Sequence, residues 1–138
     1  IELPYVVKGM DVSFSGILTD LKRKHDSKKY DINDLCYSLQ ETAFAMLTEV
    51  SERAMAHTGK KELLLGGGVA CNKRLQEMCS IMCEERNAKF FAPESEFLID
   101  NGAMIAWLGV LMRMQATKDY KIDIEPYERT DDVKTTWK

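Results

Sequence analysis

Residues Leu63 to Leu75 read LLLGGGVACNKRL: an apolar run, three consecutive glycines, and an asparagine at the threshold of an amphipathic segment. Glycines placed after a strand permit unusual backbone angles and close approach of a ligand to the chain. A helix opening just beyond them presents unpaired N–H groups and a partial positive charge. Gly66 to Gly68 can equally serve only a tight turn with close helix packing. The run lacks the Gly-Lys-Ser/Thr ending of a P-loop and the third spaced glycine of the dinucleotide fingerprint. Asn72 supplies an amide, donor and acceptor together, which suits adenine edges or ribose hydroxyls better than phosphate. It is also a favoured helix N-cap, and the two roles are compatible.

The second candidate is Asp100, inside FLIDNGAMIAW (Phe97 to Trp107). A carboxylate between apolar segments must cap, pair or bind a ligand. Helix capping is one reading and metal ligation the other. One carboxylate is not a metal site, and the histidines do not complete it. His25 lies in a lysine-rich stretch, His57 at a helix end, and no H-E-x-x-H occurs. Cys79 and Cys83 have helical i, i+4 spacing without a CxxC or histidine partner, so core packing is expected rather than zinc. A third candidate lies between Lys8 and Gly16, where Asp11, Ser13 and Ser15 could approach phosphates and a bound cation. The same residues also suit a twisted hairpin with polar outward positions.

The elements that must position these groups follow from periodicity. Tyr5-Val6-Val7 and Asp11 to Phe14 are β-like, and Val12 and Phe14 alternate with polar neighbours. Ser15 offers an N-cap to a helix carrying Ile17, Leu18 and Leu21 on one face. Asp31 can cap a long helix with Leu35, Leu39, Ala43, Met46, Val50 and Ala54 at helical spacing, stopped by Gly59. ELLLG reads as a buried parallel strand. A helix from about Asn72 to Arg86 buries Leu75, Met78, Cys79 and Met82. AKFFAP is a strand ended by Pro93, and NGAMIAWLGVLMRMQ a helix so uniformly apolar that it should be buried. From Thr117 onward extended or irregular structure is expected. Strands alternating with helices give an α/β layer with mostly parallel pairing, whose ligands sit at the carboxyl ends of the strands.

The 138 residues fit one domain with a real core, and 45% hydrophobic with 30% charged residues is ordinary for a globular protein. No apolar run approaches the roughly 20 residues that span a bilayer, so no membrane association is expected. Four cysteines beside eight methionines, without a secretory pattern, read as reduced intracellular thiols. Net charge is −3, which predicts no general affinity for nucleic acid. LKRKHDSKK concentrates positive charge locally, as a solvated helix end also does. The chain opens at Ile1 in a strand-like stretch, and a segment from the middle of a longer protein is expected.

Four segments together, PYVVKGMDVSFSG, SLQETAFAML, GGGVACNKRLQEM and IDNGAMIAWLG, resemble in order the second half of the TsaD/OSGEP family. That family contains the catalytic subunit of the KEOPS complex, formerly labelled O-sialoglycoprotein endopeptidase. The resemblance extends from about Glu2 to Trp137, and the tail YERTDDVKTTW is similar to the archaeal and eukaryotic branch. It implies the second lobe of an actin-like ATPase fold, a mostly parallel sheet flanked by helices, over residues 1–116, with 117–138 as a tail packing on the lobe or extending from it. It also implies transfer of threonylcarbamoyl from threonylcarbamoyl-AMP to N6 of the adenosine beside the tRNA anticodon.

Carried over by this resemblance, Asn72 matches the family's adenylate-contacting asparagine, and Gly67 and Gly68 the glycines of its adenosine loop. Asp100 matches a carboxylate on the active-site metal, one divalent ion per subunit, iron or alternatively zinc. Gly66 makes a triple glycine where the family needs two. The family's H-x-x-x-H pair, its metal-binding tyrosine and the residues gripping the other side of the nucleotide have no counterpart in this chain. Implied partners are tRNA, threonylcarbamoyl-AMP and the KEOPS subunits, including a small atypical kinase, in cytoplasm and nucleus. This chain alone is expected to fold but to be inactive and to bind metal and adenylate poorly. The alternatives are a non-catalytic docking module for KEOPS subunits, or the lobe of another actin-like ATPase or sugar kinase. Nothing in these residues supports proteolysis, and none is a convincing nucleophile.

Overall fold

A computed structural model describes residues 1–115, 123–129 and 132. The chain divides into two units, Ile1–Ile99 and Asp100–Lys138. The first unit is assembled on α2, a helix of 27 residues from Ile32 to Thr58. Its ends are those the sequence predicts: the Asp31 carboxylate accepts from the Asn33 N–H at 2.8 Å, and Gly59 closes the helix at φ +67°. Its burial is not confined to the single face that the periodicity suggests. Met46 packs with Leu3 and Ile17 on one side, while Phe44 and Met55 pack toward the rest of the unit on the other.

On the Met46 side lies a hairpin of β1 (Val7–Lys8) and β2 (Asp11–Val12), antiparallel, with Val7 opposite Val12. The helix α1 (Ser15–Asp26) follows it. Two polar contacts fasten the hairpin region to α2. The Tyr5 hydroxyl donates to Glu49 at 2.5 Å, and Arg53 Nη1 donates to the Gly9 carbonyl at 2.9 Å. Partial burial, reinforced by the Glu49 carboxylate, pushes the Tyr5 phenol up to about 12. Ser15 is not the N-cap of α1. Phe14 occupies that position without a side-chain bond, and Ser15 is already helical, its hydroxyl 3.2 Å from that of Ser13. Leu18, expected on the buried face, is 72% exposed, because α1 leaves a groove against α2 rather than closing on it.

On the other side of α2 is a β-α-β unit. Strand β3 (Glu62–Leu64) pairs in parallel with β4 (Lys89–Phe91), joined through a 3-10 turn, Gly68–Cys71, and the helix α3 (Lys73–Glu85). Phe44, Leu75 and Cys79 form one core cluster, and Met55, Met82 and Cys83 the next; Leu63 and Phe90 of the strands pack against both. The apolar strand run does not bury both faces. Leu63 turns inward, whereas Leu64 and Phe91, paired in register, are 68% and 47% exposed. Of the mostly parallel sheet expected, the described residues hold one parallel pair, and the other pairing is the antiparallel hairpin. Each strand is only two or three residues long, so helices carry the core. A short helix, α4 (Ser95–Leu98), absent from the sequence reading, anchors Leu98 in this unit at 4% exposure.

The second unit holds α5 (Gly102–Leu111) and a 3-10 turn, Arg113–Gln115. None of the α5 side chains is buried. The expectation of a buried helix fails here because a helix apolar on every side needs cover on every side, and the described residues do not supply it. Expectations for the tail beyond Thr117 fall mostly outside the described residues. No described helix is long and apolar enough to cross a membrane.

Truncating Leu75 to alanine is expected to cost about 2–5 kcal/mol by leaving a cavity between α2 and α3. Leu64→Ala, on the open sheet face, should stay within about 0.5 kcal/mol. Urea denaturation of the 138-residue chain compares the two directly.

Candidate functional site

The parallel strands and the order of their connection place the glycines, the 3-10 turn and the start of α3 at the carboxyl edge of β3. Leu65 extends the pairing by donating its N–H to the Phe91 carbonyl at 3.0 Å. Gly67 then takes φ +86°, which L side chains rarely adopt, so glycine is required there by the backbone itself. A Cβ added at Gly66, Gly67 or Gly68 would meet no atom within 4 Å, so close helix packing does not explain the run. The turn is locked by the Ala70 N–H on the Gly67 carbonyl at 3.0 Å and by Gln76 Nε2 on the Ala70 carbonyl at 2.7 Å. Val69 projects from it, 63% exposed.

Asn72 is the N-cap of α3. Its Oδ1 accepts from Arg74 N at 2.9 Å and from Leu75 N at 3.4 Å, and its Nδ2 donates to Gln40 Oε1 of α2 at 3.2 Å. The cap fixes the amide's orientation, since only the oxygen can accept those backbone N–H groups. Both lone pairs and one N–H are therefore engaged, and the second N–H bonds no described residue.

The Arg74 charge beside this helix start is balanced by two carboxylates. Arg74 grips the Glu41 carboxylate with Nε and Nη2, both at 2.8 Å, and donates Nη1 to Glu77 at 2.8 Å. Lys73 Nζ donates to Gln76 Oε1 at 3.2 Å. The Arg74 hydrogen bond outweighs desolvation and holds the Glu41 carboxyl below its ordinary value, while its two carboxylate partners push the guanidinium up. Three of the five Arg74 N–H groups are thus taken by carboxylates, and the neutral amide of Asn72 suits base edges or hydroxyls better than phosphate. Beside the turn, between α1 and α2, an apolar groove of about 540 Å³ is lined by Phe14, Leu18, Leu39, Phe44, Val69 and Gln40, among others. That volume is in the range of small-ligand clefts.

The remaining candidates are placed differently. Asp100 is not the cap of α5. Asn101 is, its side chain accepting from Met104 N at 2.8 Å. The Asp100 carboxylate is exposed and takes no hydrogen bond or ion pair among the described residues. Nor do three His, Cys, Asp or Glu side chains come together as a metal site among the described residues, so Asp100 offers one ligand and these residues do not fit a metal by themselves. Asp11 pairs with Lys8 across the hairpin, and Ser13 and Ser15 bond to one another. All three are exposed and share no hydrogen bond with the glycine turn. Cys79 and Cys83 are core residues, as their spacing suggests, and burial pushes both thiols up.

Gln40, Gln76 and the groove were not singled out from the sequence. Gln40 sits within SLQETAFAML next to Leu39, and no motif marks an amide that acts through a partner on another helix.

Comparison with known proteins decides the family. Residues 1–107 match the TsaD family, described as tRNA N6-adenosine threonylcarbamoyltransferase. The chain belongs to this family. It is 55% identical to a probable bifunctional tRNA threonylcarbamoyladenosine biosynthesis protein of Methanococcus vannielii, covering 99% of this chain and 25% of that protein. A protein of the same description from Methanosarcina barkeri is 56% identical with the same coverage. The tRNA N6-adenosine threonylcarbamoyltransferase of Thermococcus kodakarensis is 55% identical over 99% of this chain and 43% of its own length. This member of the TsaD family thus spans between a quarter and less than half of the relatives it matches.

The Arg74–Glu41 clamp beside the site gives a pH signature with a defined sign. Because the Glu41 carboxyl is lowered in the folded state, its stabilisation is complete above the unfolded glutamate value and is lost as pH falls through the lowered one. Stability is expected to decline on the acid side of about pH 4, and Glu41→Gln should remove that part of the slope. Thermal melts of both proteins across an acid series measure it.

Proposed function

We propose that this chain is the nucleoside-binding lobe of a tRNA N6-adenosine threonylcarbamoyltransferase, the second lobe of an actin-like ATPase fold. Residues 1–116 form the lobe and 117–138 its tail. The observation that carries the reading is the Asn72 amide, which caps α3 with its oxygen and keeps one N–H beyond the cap, at the end of a glycine turn. The adenosine of threonylcarbamoyl-AMP enters along Gly67 and Gly68, its base in the apolar groove against Val69 and Leu39 and its polar edge on Asn72.

In the transfer, the N6 amine of the tRNA adenosine attacks the carbamoyl carbon. A C–N bond forms, the C–O bond from that carbon to the adenylate phosphate breaks, and AMP leaves with that oxygen while the amine's displaced proton passes to solvent. The tRNA amine is the nucleophile, so this lobe supplies none. What the lobe contributes is binding and orientation of the leaving adenylate. Asp100 is one ligand of a metal, iron or alternatively zinc, completed by residues outside this chain. When bound, such an ion supplies Lewis-acid and templating chemistry. Asp11, Ser13 and Ser15 remain candidates for phosphate contact on the hairpin. The partners proposed are tRNA and the KEOPS subunits with their small kinase, in cytoplasm and nucleus. The exposed apolar α5 favours a second reading in part, a surface through which the lobe docks to other chains.

Asn72→Asp in the full-length protein separates capping from recognition. The carboxylate retains the cap, whereas the amide donor is lost. Adenosine, a neutral probe, should bind about five- to tenfold more weakly by calorimetry while the melting temperature changes little. Undiminished adenosine affinity would reduce Asn72 to a helix cap. Asp100→Ala should lower the metal content of the full-length protein without unfolding it. Elemental analysis giving wild-type occupancy would remove Asp100 from the metal site.

A further inference from the structure

We infer that Gln40 is a positioning residue for the nucleoside site, holding the Asn72 amide from the neighbouring helix so that its remaining N–H faces a ligand in one direction. The inference rests on the proposed reading of Asn72 and extends it to a residue that neither the family description nor the sequence motifs assign. Gln40 Oε1 accepts from Asn72 Nδ2 at 3.2 Å across 32 residues of chain, and it is the acceptor that α2 offers to the N-cap of α3.

The geometry around this bond is what gives it a positioning role. Of the two cap bonds on Asn72 Oδ1 one is long, at 3.4 Å, and an anchor on the nitrogen from a second helix narrows the remaining excursions of χ1 and χ2. Gln40 is itself held. The next residue, Glu41, is clamped by the Nε and Nη2 edge of the Arg74 guanidinium at 2.8 Å, and Arg74 lies two residues after Asn72. The pairs 40–72 and 41–74 therefore run side by side and fix α2 against the start of α3. Gln40 is half buried, and its side chain is the one amide lining a groove whose other named walls are Phe14, Leu18, Leu39, Phe44 and Val69. An amide at that place is costly unless bonded; its oxygen accepts from Asn72, and its N–H side bonds the Glu41 carboxylate, which holds the oxygen toward Asn72. A simple packing role would be served better by leucine.

The test compares Gln40→Leu and Gln40→Glu in the full-length protein, with adenosine as the probe so that the added charge meets no phosphate. Leucine keeps the apolar wall and removes the acceptor; glutamate keeps an acceptor of the same reach. Calorimetry should give adenosine affinity about five- to tenfold weaker for Gln40→Leu, with the melting temperature nearly unchanged, and Gln40→Glu within about twofold of wild type. Gln40→Leu that binds as tightly as wild type, while Asn72→Asp loses affinity, overturns this inference and leaves the reading of Asn72 standing. Gln40→Glu as weak as Gln40→Leu overturns it also, since an acceptor was then not what mattered. Wild-type protein that binds no adenosine removes the reading and this inference together.

Discussion

The first turn of α3 is the constraint on which the site depends. A helix start leaves backbone N–H groups without partners, and here one asparagine oxygen satisfies two of them. That single requirement sets which end of the amide faces the helix start and which is left as a donor, here toward Gln40 of α2. The glycine turn ahead of it, locked through Gln76 and Ala70, delivers Asn72 to the cap position. The ion pairs of Arg74 with Glu41 and of Arg86 with Glu52 (the latter at 3.0 Å) flank the apolar seam and keep α3 in place along α2. Exposed pairs of this kind contribute little each, whereas the buried Leu75, Cys79, Met82 and Cys83 supply most of the adhesion.

Much of this was legible in the sequence, for local reasons. Asp31, Gly59 and Asn72 are punctuation with a mechanism, and each ends or starts a helix where expected. The i, i+4 cysteines fell in the core because they share the apolar face of α3 with Leu75 and Met82. Failures came where the outcome depended on what else was nearby. Ser15 looks like a cap, but the helix begins on it rather than after it. Asp100 and Asn101 are adjacent cap-competent residues, and sequence alone does not say which oxygen reaches the Met104 N–H. Leu18, Leu39, Leu64 and the whole of α5 have the pattern of burial without the neighbours. Gln40 was invisible because its meaning lies in residue 72.

The apolar surface left open has a common character. Leu64 and Phe91 on the sheet, and Leu18, Leu39 and Val69 along the groove, belong to elements whose opposite sides are well packed. The chain covers at most 43% of the lengths of the relatives compared, so surfaces of this kind are where further protein and ligand would be met. A lobe that is rigid along the α2–α3 seam and open beside the glycine turn suits one wall of a cleft. On the proposed reading, such a wall binds by presenting a preset edge rather than by enclosing its ligand.

The most direct measurement is amide hydrogen exchange of the full-length protein with and without AMP. The account predicts slowed exchange concentrated in residues 66–75 and in the first half of α2, around Gln40, as the ligand rests on the turn and along the groove. Protection confined to other segments, with 66–75 unchanged at saturating AMP, would contradict the assignment of this turn as the nucleoside site.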